Sequence, residues 1–140
     1  MSSPSSPTPP PRTPFATVLD QVQGPLSFVP RAAEDGGVVW EYQVDRQHFN
    51  PYGALHGGVA LALLDTAMGH AVATKVHAAG RFNVAAQMNT NFLAPVYLGM
   101  LRARANVVKI GKRLAIVDAR AEDGDGTLVA VATATHSLLP

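Results

Sequence analysis

The spacing of apolar and polar residues changes from one period to another along the chain and thereby predicts its elements. Residues 38–44 alternate with a period of two, which is typical of a strand buried on one face. The stretch 56–74, HGGVALALLDTAMGHAVAT, is almost wholly apolar and predicts one long helix. Two strands are predicted before this helix, separated by a turn at 34–37, and the apolar face of the second consists of Val38, Trp40, Tyr42 and Val44.

Four further strands are predicted after this helix, and short turns separate the last three of them. In the first, FNVAAQMNTNF (82–92), strict alternation places Asn83 and Gln87 on the polar face and Val84 and Ala86 on the apolar face. The other three strands are LRARANVVK, LAIVDARAED and TLVAVATATHSLL. Strands joined by short turns form an antiparallel sheet, and the apolar helix must be covered by it, so we expect an α+β fold.

The beginning of the chain differs in composition from the remainder. Residues 1–14 are rich in proline and serine, so we expect a disordered tail there. The spacing of apolar residues in 15–24 predicts a short amphipathic helix that ends at Gly24. One domain over 15–140 is expected from the length.

Composition narrows the classes of function. Hydrophobic residues make up 47% of the chain and charged residues 15%, which favours an oligomer interface in so small a domain. A net charge of +1 argues against a nucleic-acid partner, and the absence of cysteine excludes disulfides and thiol catalysis. Asp65, His70 and several glycines interrupt the longest apolar run, which argues against a membrane span. We therefore expect a cytoplasmic protein.

Asp65 is the residue that the helix pattern does not explain. Its neighbours three and four positions away are Leu61, Ala62, Met68 and Gly69, and none of them can pair with a carboxylate. A buried, unpaired carboxylate would cost several kcal/mol. A catalytic role or a hydrogen bond across subunits would explain it, whereas an exposed position or a bond to a neighbouring strand would need no function.

Gly57 and Gly58 open the same helix. Amide groups in the first helical turn have no intrahelical acceptor and lie at the positive end of the helix dipole, so they could stabilise an oxyanion. Alternatively, the glycines only allow close packing of helix and sheet. Gly57 and Asp65 are separated by about 12 Å along the axis. If both serve one reaction, they must come from different subunits of a dimer.

Other polar residues surround the helix start. Asn50 could hold a water or a substrate carbonyl, or could simply form a turn before Pro51. His56 could donate to a substrate or cap the helix. The other four histidines show no metal-ligand spacing, so no metal site is predicted. The chain contains no G-x-S-x-G elbow, no P-loop and no G-x-G-x-x-G.

A predicted turn, KIGKR, carries Lys109, Lys112 and Arg113. Three cations at one turn could bind phosphates of a nucleotide-bearing substrate. A solvated turn without a ligand would show the same pattern.

Several of these motifs together resemble one known family. NPYGALHGGVALALLDTAMG, QMNTNFLAPV, VVKIGKR and DGDGTLVAVATAT are similar to motifs of hotdog-fold acyl-CoA thioesterases of the PaaI-like superfamily (phenylacetic acid degradation, 4-hydroxybenzoyl-CoA thioesterase). The resemblance covers about residues 15–138 in the right order. It implies a hotdog fold, in which an antiparallel sheet of five or six strands wraps around one long helix.

The resemblance also implies roles for individual residues. Asp65 matches the catalytic carboxylate, acting as nucleophile or as general base, and the Gly57 amide matches the oxyanion donor from the partner subunit. Asn50 and His56 match residues that position the thioester and water. The substrate would be an acyl-CoA, with its phosphates near the basic turn and Gly58 among the binding groups. No separate cofactor is implied, and dimers that assemble into tetramers are expected.

One departure from the family concerns the strand after the helix. Many relatives carry a serine or threonine two to four residues before Met88, where this chain has 84–86, Val-Ala-Ala. Asn83 or Gln87 could replace the missing hydroxyl in placing water.

Two other functions remain open on the same fold. A non-catalytic acyl-CoA binder would not use Asp65, and a hydratase or dehydratase would need a histidine paired with an acid. For the acyl group, Tyr52, Met68 and Phe82 could line a pocket for an aromatic or medium-chain group, or they could belong to the core.

Overall fold

The predicted order of strands and helix is present in the fold. A computed structural model describes residues 26–33 and 35–140, so the predicted tail and the helix over 15–24 lie outside the described residues. The elements are β1 (Val29–Arg31), β2 (Val38–Gln43), α1 (Gly57–Val76), β3 (Phe82–Phe92), β4 (Met100–Ile110), β5 (Leu114–Asp123) and β6 (Leu128–Leu139). Two short 3-10 turns cover Arg46–His48 and His77–Ala79.

The strands form one six-stranded sheet in the order β1-β2-β4-β5-β6-β3. Every neighbouring pair is antiparallel. The predicted α+β arrangement, an antiparallel sheet around one long helix, is confirmed. The two edges of the sheet differ in length, because β1 has 3 residues and β3 has 11.

Small residues on the inner face of the sheet let α1 lie close to it. The helix contributes fully buried side chains, among them Leu63, Leu64 and Met68. Opposite them, β4, β5 and β6 present buried alanines: Ala103, Ala105, Ala115, Ala119, Ala121, Ala130, Ala132 and Ala134. Burial of a leucine-sized side chain stabilises the fold by about 1.5–3 kcal/mol, so these helix residues are the main anchors of α1.

The opposite side of α1 is not covered by the described part of the chain. Asp65 is exposed there, and Gly58 is exposed on the same side. Of the alternatives that the sequence left open for Asp65, the exposed position is the one observed, because the sheet contacts only one side of the helix. Residues 57–79 are long and apolar enough for a membrane span, but half of that stretch is buried, as in the core helix of a globular domain.

A β-bulge in β3 changes which of its residues face the helix. The register against β6 shifts between Ala85 and Gln87, so Ala86 is an extra residue in the strand. Asn83 consequently lies on the helix side, where its amide donates to the carbonyl of Gly69. Val84 is 51% exposed. The predicted alternation over 82–92 is wrong on this point, since it placed Asn83 beside Gln87 on the polar face.

Replacement of Leu63 by alanine should destabilise the fold strongly. Leu63 is 0% exposed, and a leucine-to-alanine change in a packed core lowers the free energy of unfolding by about 2–5 kcal/mol. Tyr52 is 95% exposed, so Tyr52→Ala serves as the control and should change stability by less than about 0.5 kcal/mol. Denaturant unfolding at equal protein concentration measures both variants. Equal losses would contradict the packing described for α1.

Candidate active site

The loop before α1 is shaped by Asn50. Its side-chain oxygen accepts hydrogen bonds from the backbone N–H groups of Tyr52, at 2.9 Å, and Ala54, at 3.2 Å. Asn50 is thus a turn former, one of the two roles that the sequence allowed. It also lines a cleft at the helix start. Because the oxygen is used within the loop, the NH₂ group of Asn50 is the part left to act on a ligand.

His56 caps α1. Its Nδ1 accepts a hydrogen bond of 2.9 Å from the N–H of Gly58. The Gly58 amide, a predicted substrate-binding group, therefore donates within the protein. With Nδ1 as an acceptor, a neutral His56 carries its proton on Nε2, and the exposed ring can still donate from that atom.

Gly57 carries the free donor of the first helical turn. Its N–H has no acceptor among residues 26–33 and 35–140, and it lies at the positive end of the helix dipole. A Cβ on Gly57 would lie 3.4 Å from the Phe92 ring. The absence of a side chain therefore leaves a narrow gap between the helix start and the end of β3.

The cleft beside Gly57 has a volume of about 360 Å³. Its polar lining includes Asn50 and Gly57, and the remainder is apolar: Ala54, Leu55, Ala60, Phe92, Leu93, Ala94, Pro95, Val96, Val129 and Ala130. A carbonyl placed in it can meet the N–H of Gly57 while an apolar chain contacts the wall. Such a site favours a polarised carbonyl that carries a hydrophobic substituent.

Asp65 does not line this cleft. It is separated from Gly57 by two turns of α1, about 12 Å along the axis, and it forms no ion pair within the described ranges 26–33 and 35–140. The cleft and the carboxylate are therefore separate features of a single chain.

The basic turn lies at the other end of the sheet from the cleft. The side chains of Lys109, Lys112 and Arg113 are exposed. The carbonyl of Arg113 accepts from the N–H of Leu138 at 2.8 Å, whereas Ala130, eight residues earlier on β6, lines the cleft. Eight strand residues span about 26 Å. One chain therefore cannot bring its own cleft and its own basic turn together.

Arg81 is a residue whose role the sequence did not indicate. Its guanidinium donates to the carbonyl of Lys112, and also to that of Leu138 at 3.4 Å. These bonds tie the basic turn to the beginning of β3 and leave the side chain of Lys112 exposed.

His136, which sequence reasoning did not place in the site, lies under the helix near Asp65 together with Asn83, a predicted candidate for placing water. His136 is 2% exposed, and its Nδ1 is 3.0 Å from Nδ2 of Asn83. Burial lowers the pKa of His136, while the negative charge of Asp65 acts in the opposite direction. Of the two predicted replacements for the strand hydroxyl, Asn83 faces the helix and Gln87 is exposed.

The remaining predicted residues divide between core and surface. Met68 is fully buried in the core, Phe82 is half-buried and Tyr52 is exposed, and none of the three lines the cleft. Within the described ranges, no group of three or more histidine, aspartate or glutamate side chains could hold a metal ion.

Comparison with known proteins identifies the family of this chain. Residues 52–130 match the thioesterase superfamily. A Caenorhabditis elegans protein named as an esterase is 32% identical over 133 residues, which cover 88% of this chain and 77% of that protein. Human acyl-coenzyme A thioesterase 13 is 33% identical over 98 residues, 69% of this chain and 67% of that protein.

A solved structure shows the same fold. The PaaI protein from the Escherichia coli phenylacetic acid degradation operon has a TM-score of 0.80 to this chain at 24% identity, over 89% of this chain and 91% of that protein. The chain therefore belongs to the thioesterase superfamily, as the resemblance predicted, and it has the hotdog fold of the PaaI protein.

Proposed function

We propose that this protein is an acyl-CoA thioesterase that hydrolyses its substrate to a free acid and CoA. The observation that carries the proposal is the unbonded N–H of Gly57 at the wall of an apolar cleft. Membership of the thioesterase superfamily supports thioester hydrolysis in general. The acyl-CoA substrate is supported by the name of the human relative.

The reaction follows from these groups. The thioester oxygen accepts hydrogen bonds from the Gly57 N–H and the NH₂ of Asn50, which stabilise its negative charge when the carbonyl carbon is attacked. His56 assists in positioning the thioester and water. Asp65 of the partner subunit either removes a proton from the attacking water or attacks directly, forming an anhydride that water then cleaves. The carbon–sulfur bond breaks, and the CoA sulfur leaves and is protonated.

A homodimer would supply both halves of this site. The outer edge of β3 pairs with no described strand, and an exposed strand edge readily pairs with another chain. Phe92, at one end of β3, lies beside Gly57, and Asn83, at the other end, bonds to Gly69, one turn from Asp65. Antiparallel pairing of two β3 strands about a twofold axis would therefore place the Gly57 end of one subunit beside the Asp65 end of its partner.

The same twofold symmetry would also determine where the basic turn lies relative to the partner's cleft. The turn of 109–113 lies at the end of the sheet where Asn83 is found, because Arg81, two residues before Asn83, donates to the carbonyl of Lys112. In the dimer it would lie near the partner's cleft, where its three cations can meet the phosphates of CoA. Assembly of two dimers into a tetramer remains a prediction.

For the acyl group we propose an aromatic or medium-chain substituent. The apolar wall of the cleft, with Leu55, Phe92 and Val96, suits a hydrophobic group, and its volume of about 360 Å³ leaves room for one ring or a chain of moderate length. A non-catalytic binder would bind acyl-CoA without releasing thiol, and a hydratase would add water to an enoyl-CoA.

Replacement of Asp65 by asparagine should abolish most turnover. We expect kcat to fall by about 10²–10⁴-fold, since a positioned carboxylate contributes that much as a base, with the fold retained because Asp65 is exposed. Thiol release from aryl, short-chain and long-chain acyl-CoAs measures both activity and acyl preference. Asp118→Asn, another exposed acid, is the matched control. Wild-type turnover in Asp65→Asn would refute the role of this carboxylate.

Mixed dimers test whether the site is shared between subunits. Gly57→Pro removes the N–H and adds a ring that the first helical position accommodates, and it should lower kcat by about 10²–10³-fold. Equal amounts of Gly57→Pro and Asp65→Ala chains, after subunit exchange, should recover roughly a quarter of wild-type activity, since half the dimers then hold one intact site.

The control for this experiment is Gly57→Ala, which adds a Cβ in ordinary contact with Phe92 and keeps the N–H. It should retain more activity than Gly57→Pro. Proven exchange without recovery would argue against a shared site.

Neutralisation of the basic turn should weaken binding of CoA selectively. The triple change Lys109→Gln, Lys112→Gln and Arg113→Gln should raise KM for acyl-CoA by about tenfold or more, because each charge-assisted bond to phosphate contributes about 1.5–3 kcal/mol. An acyl-pantetheine thioester, which lacks the nucleotide phosphates, should be hydrolysed with unchanged KM. An equal rise in KM for both substrates would mean that the substitutions disturb the structure and that the turn does not bind phosphate.

A further inference from the structure

A buried polar pair lies beneath the middle of α1. His136 of β6 is 2% exposed, and its Nδ1 is 3.0 Å from Nδ2 of Asn83. The same Nδ2 donates to the carbonyl of Gly69 at 3.1 Å. We call these two side chains the Asn83–His136 pair. The β3 bulge creates it by turning Asn83 toward the helix.

The hydrogen bonds of this pair assign the proton on His136. The Gly69 carbonyl can only accept, so the NH₂ group of Asn83 must face it. The second N–H of that group then donates to Nδ1 of His136, which must also accept. Because burial lowers the pKa of His136, the ring is neutral at pH 7 and carries its single proton on Nε2.

This Nε2–H is a donor without an acceptor. Nε2 is buried, and within the described ranges it has no hydrogen-bond partner. Buried donors are almost always paired, so this group calls for an explanation. The adjacent ring atom, Cε1, lies 3.9 Å from the point where a Cβ of Gly69 would be. Nε2 is bonded to Cε1 and is therefore close to the space that Gly69 leaves open.

Asp65 is the acid closest to that space along the helix. It precedes Gly69 by one turn, so the two residues are neighbours on the surface of α1, and its charge reaches the His136 ring. A carboxylate that acts on a thioester must hold one oxygen toward the substrate, and a donor on the other oxygen would fix that orientation.

We propose that His136 is a positioning residue for Asp65: its Nε2–H donates to the carboxylate in the assembled enzyme, and Asn83 holds the ring in the required tautomer and orientation. The inference rests on the proposed function, because Asp65 has a reactive orientation only if it acts on substrate. The pair itself does not touch the thioester and acts through the carboxylate.

Kinetics of His136 variants test the inference. His136→Leu should lower kcat by about 10–100-fold, as loss of an outer hydrogen-bonding partner does elsewhere, and should leave KM within about twofold because no substrate contact is lost. His136→Gln keeps a donor near Nε2 and should recover part of kcat. In an Asp65→Asn background, His136→Leu should cause no further loss, since the two residues act as one unit.

Nuclear magnetic resonance of the ring nitrogens provides a test that requires no variant of His136 and no turnover. The wild-type protein should show His136 as the neutral tautomer with the proton on Nε2. Asp65→Asn should shift the Nε2 resonance, whereas Asp118→Asn should not.

The outcomes separate the two proposals. A proton on Nδ1, an Nε2 signal indifferent to Asp65→Asn, or a folded His136→Leu protein with wild-type kcat would each overturn the positioning role. If the wild-type protein releases no thiol from any acyl-CoA while the resonances behave as expected, the thioesterase proposal fails and the contact between His136 and Asp65 stands.

Discussion

The sheet packs against only one side of α1, and the other features of the structure depend on this constraint. Alanines on β4, β5 and β6 let the helix approach closely, and large side chains such as Leu63 and Met68 fill the space between them. Among the described residues, no element covers the opposite side of α1, where Asp65 is exposed. The proposed dimer would cover that side with a second chain.

The Gly57 amide and the Asp65 carboxylate lie near different ends of β3, which runs alongside α1. The Gly57 end of the helix lies at the Phe92 end of the strand, and Gly69 lies at the Asn83 end. A distance of about 12 Å along one helix cannot be shortened by side-chain rotation. Twofold symmetry would remove the difficulty, because antiparallel pairing of β3 strands sets opposite ends side by side.

A single extra residue decides the polar chemistry beneath the helix. Without the bulge at Ala86, alternation would direct Asn83 to the outer face of the sheet. With it, Asn83 bonds both to Gly69 and to His136. Asn83, one of the two residues predicted to replace the missing strand hydroxyl, is therefore a member of the Asn83–His136 pair.

The sequence by itself determined the elements, their order and the small residues at the helix start, because these follow from local periodicity and turn chemistry. It also marked Gly57 as a donor without an acceptor, since the first helical turn leaves its amides unbonded. Only the tertiary structure decided that Asp65 is exposed and that Asn83 meets His136. These outcomes depend on which helix face the sheet covers and on the register of two strands distant in sequence, and no local pattern encodes either.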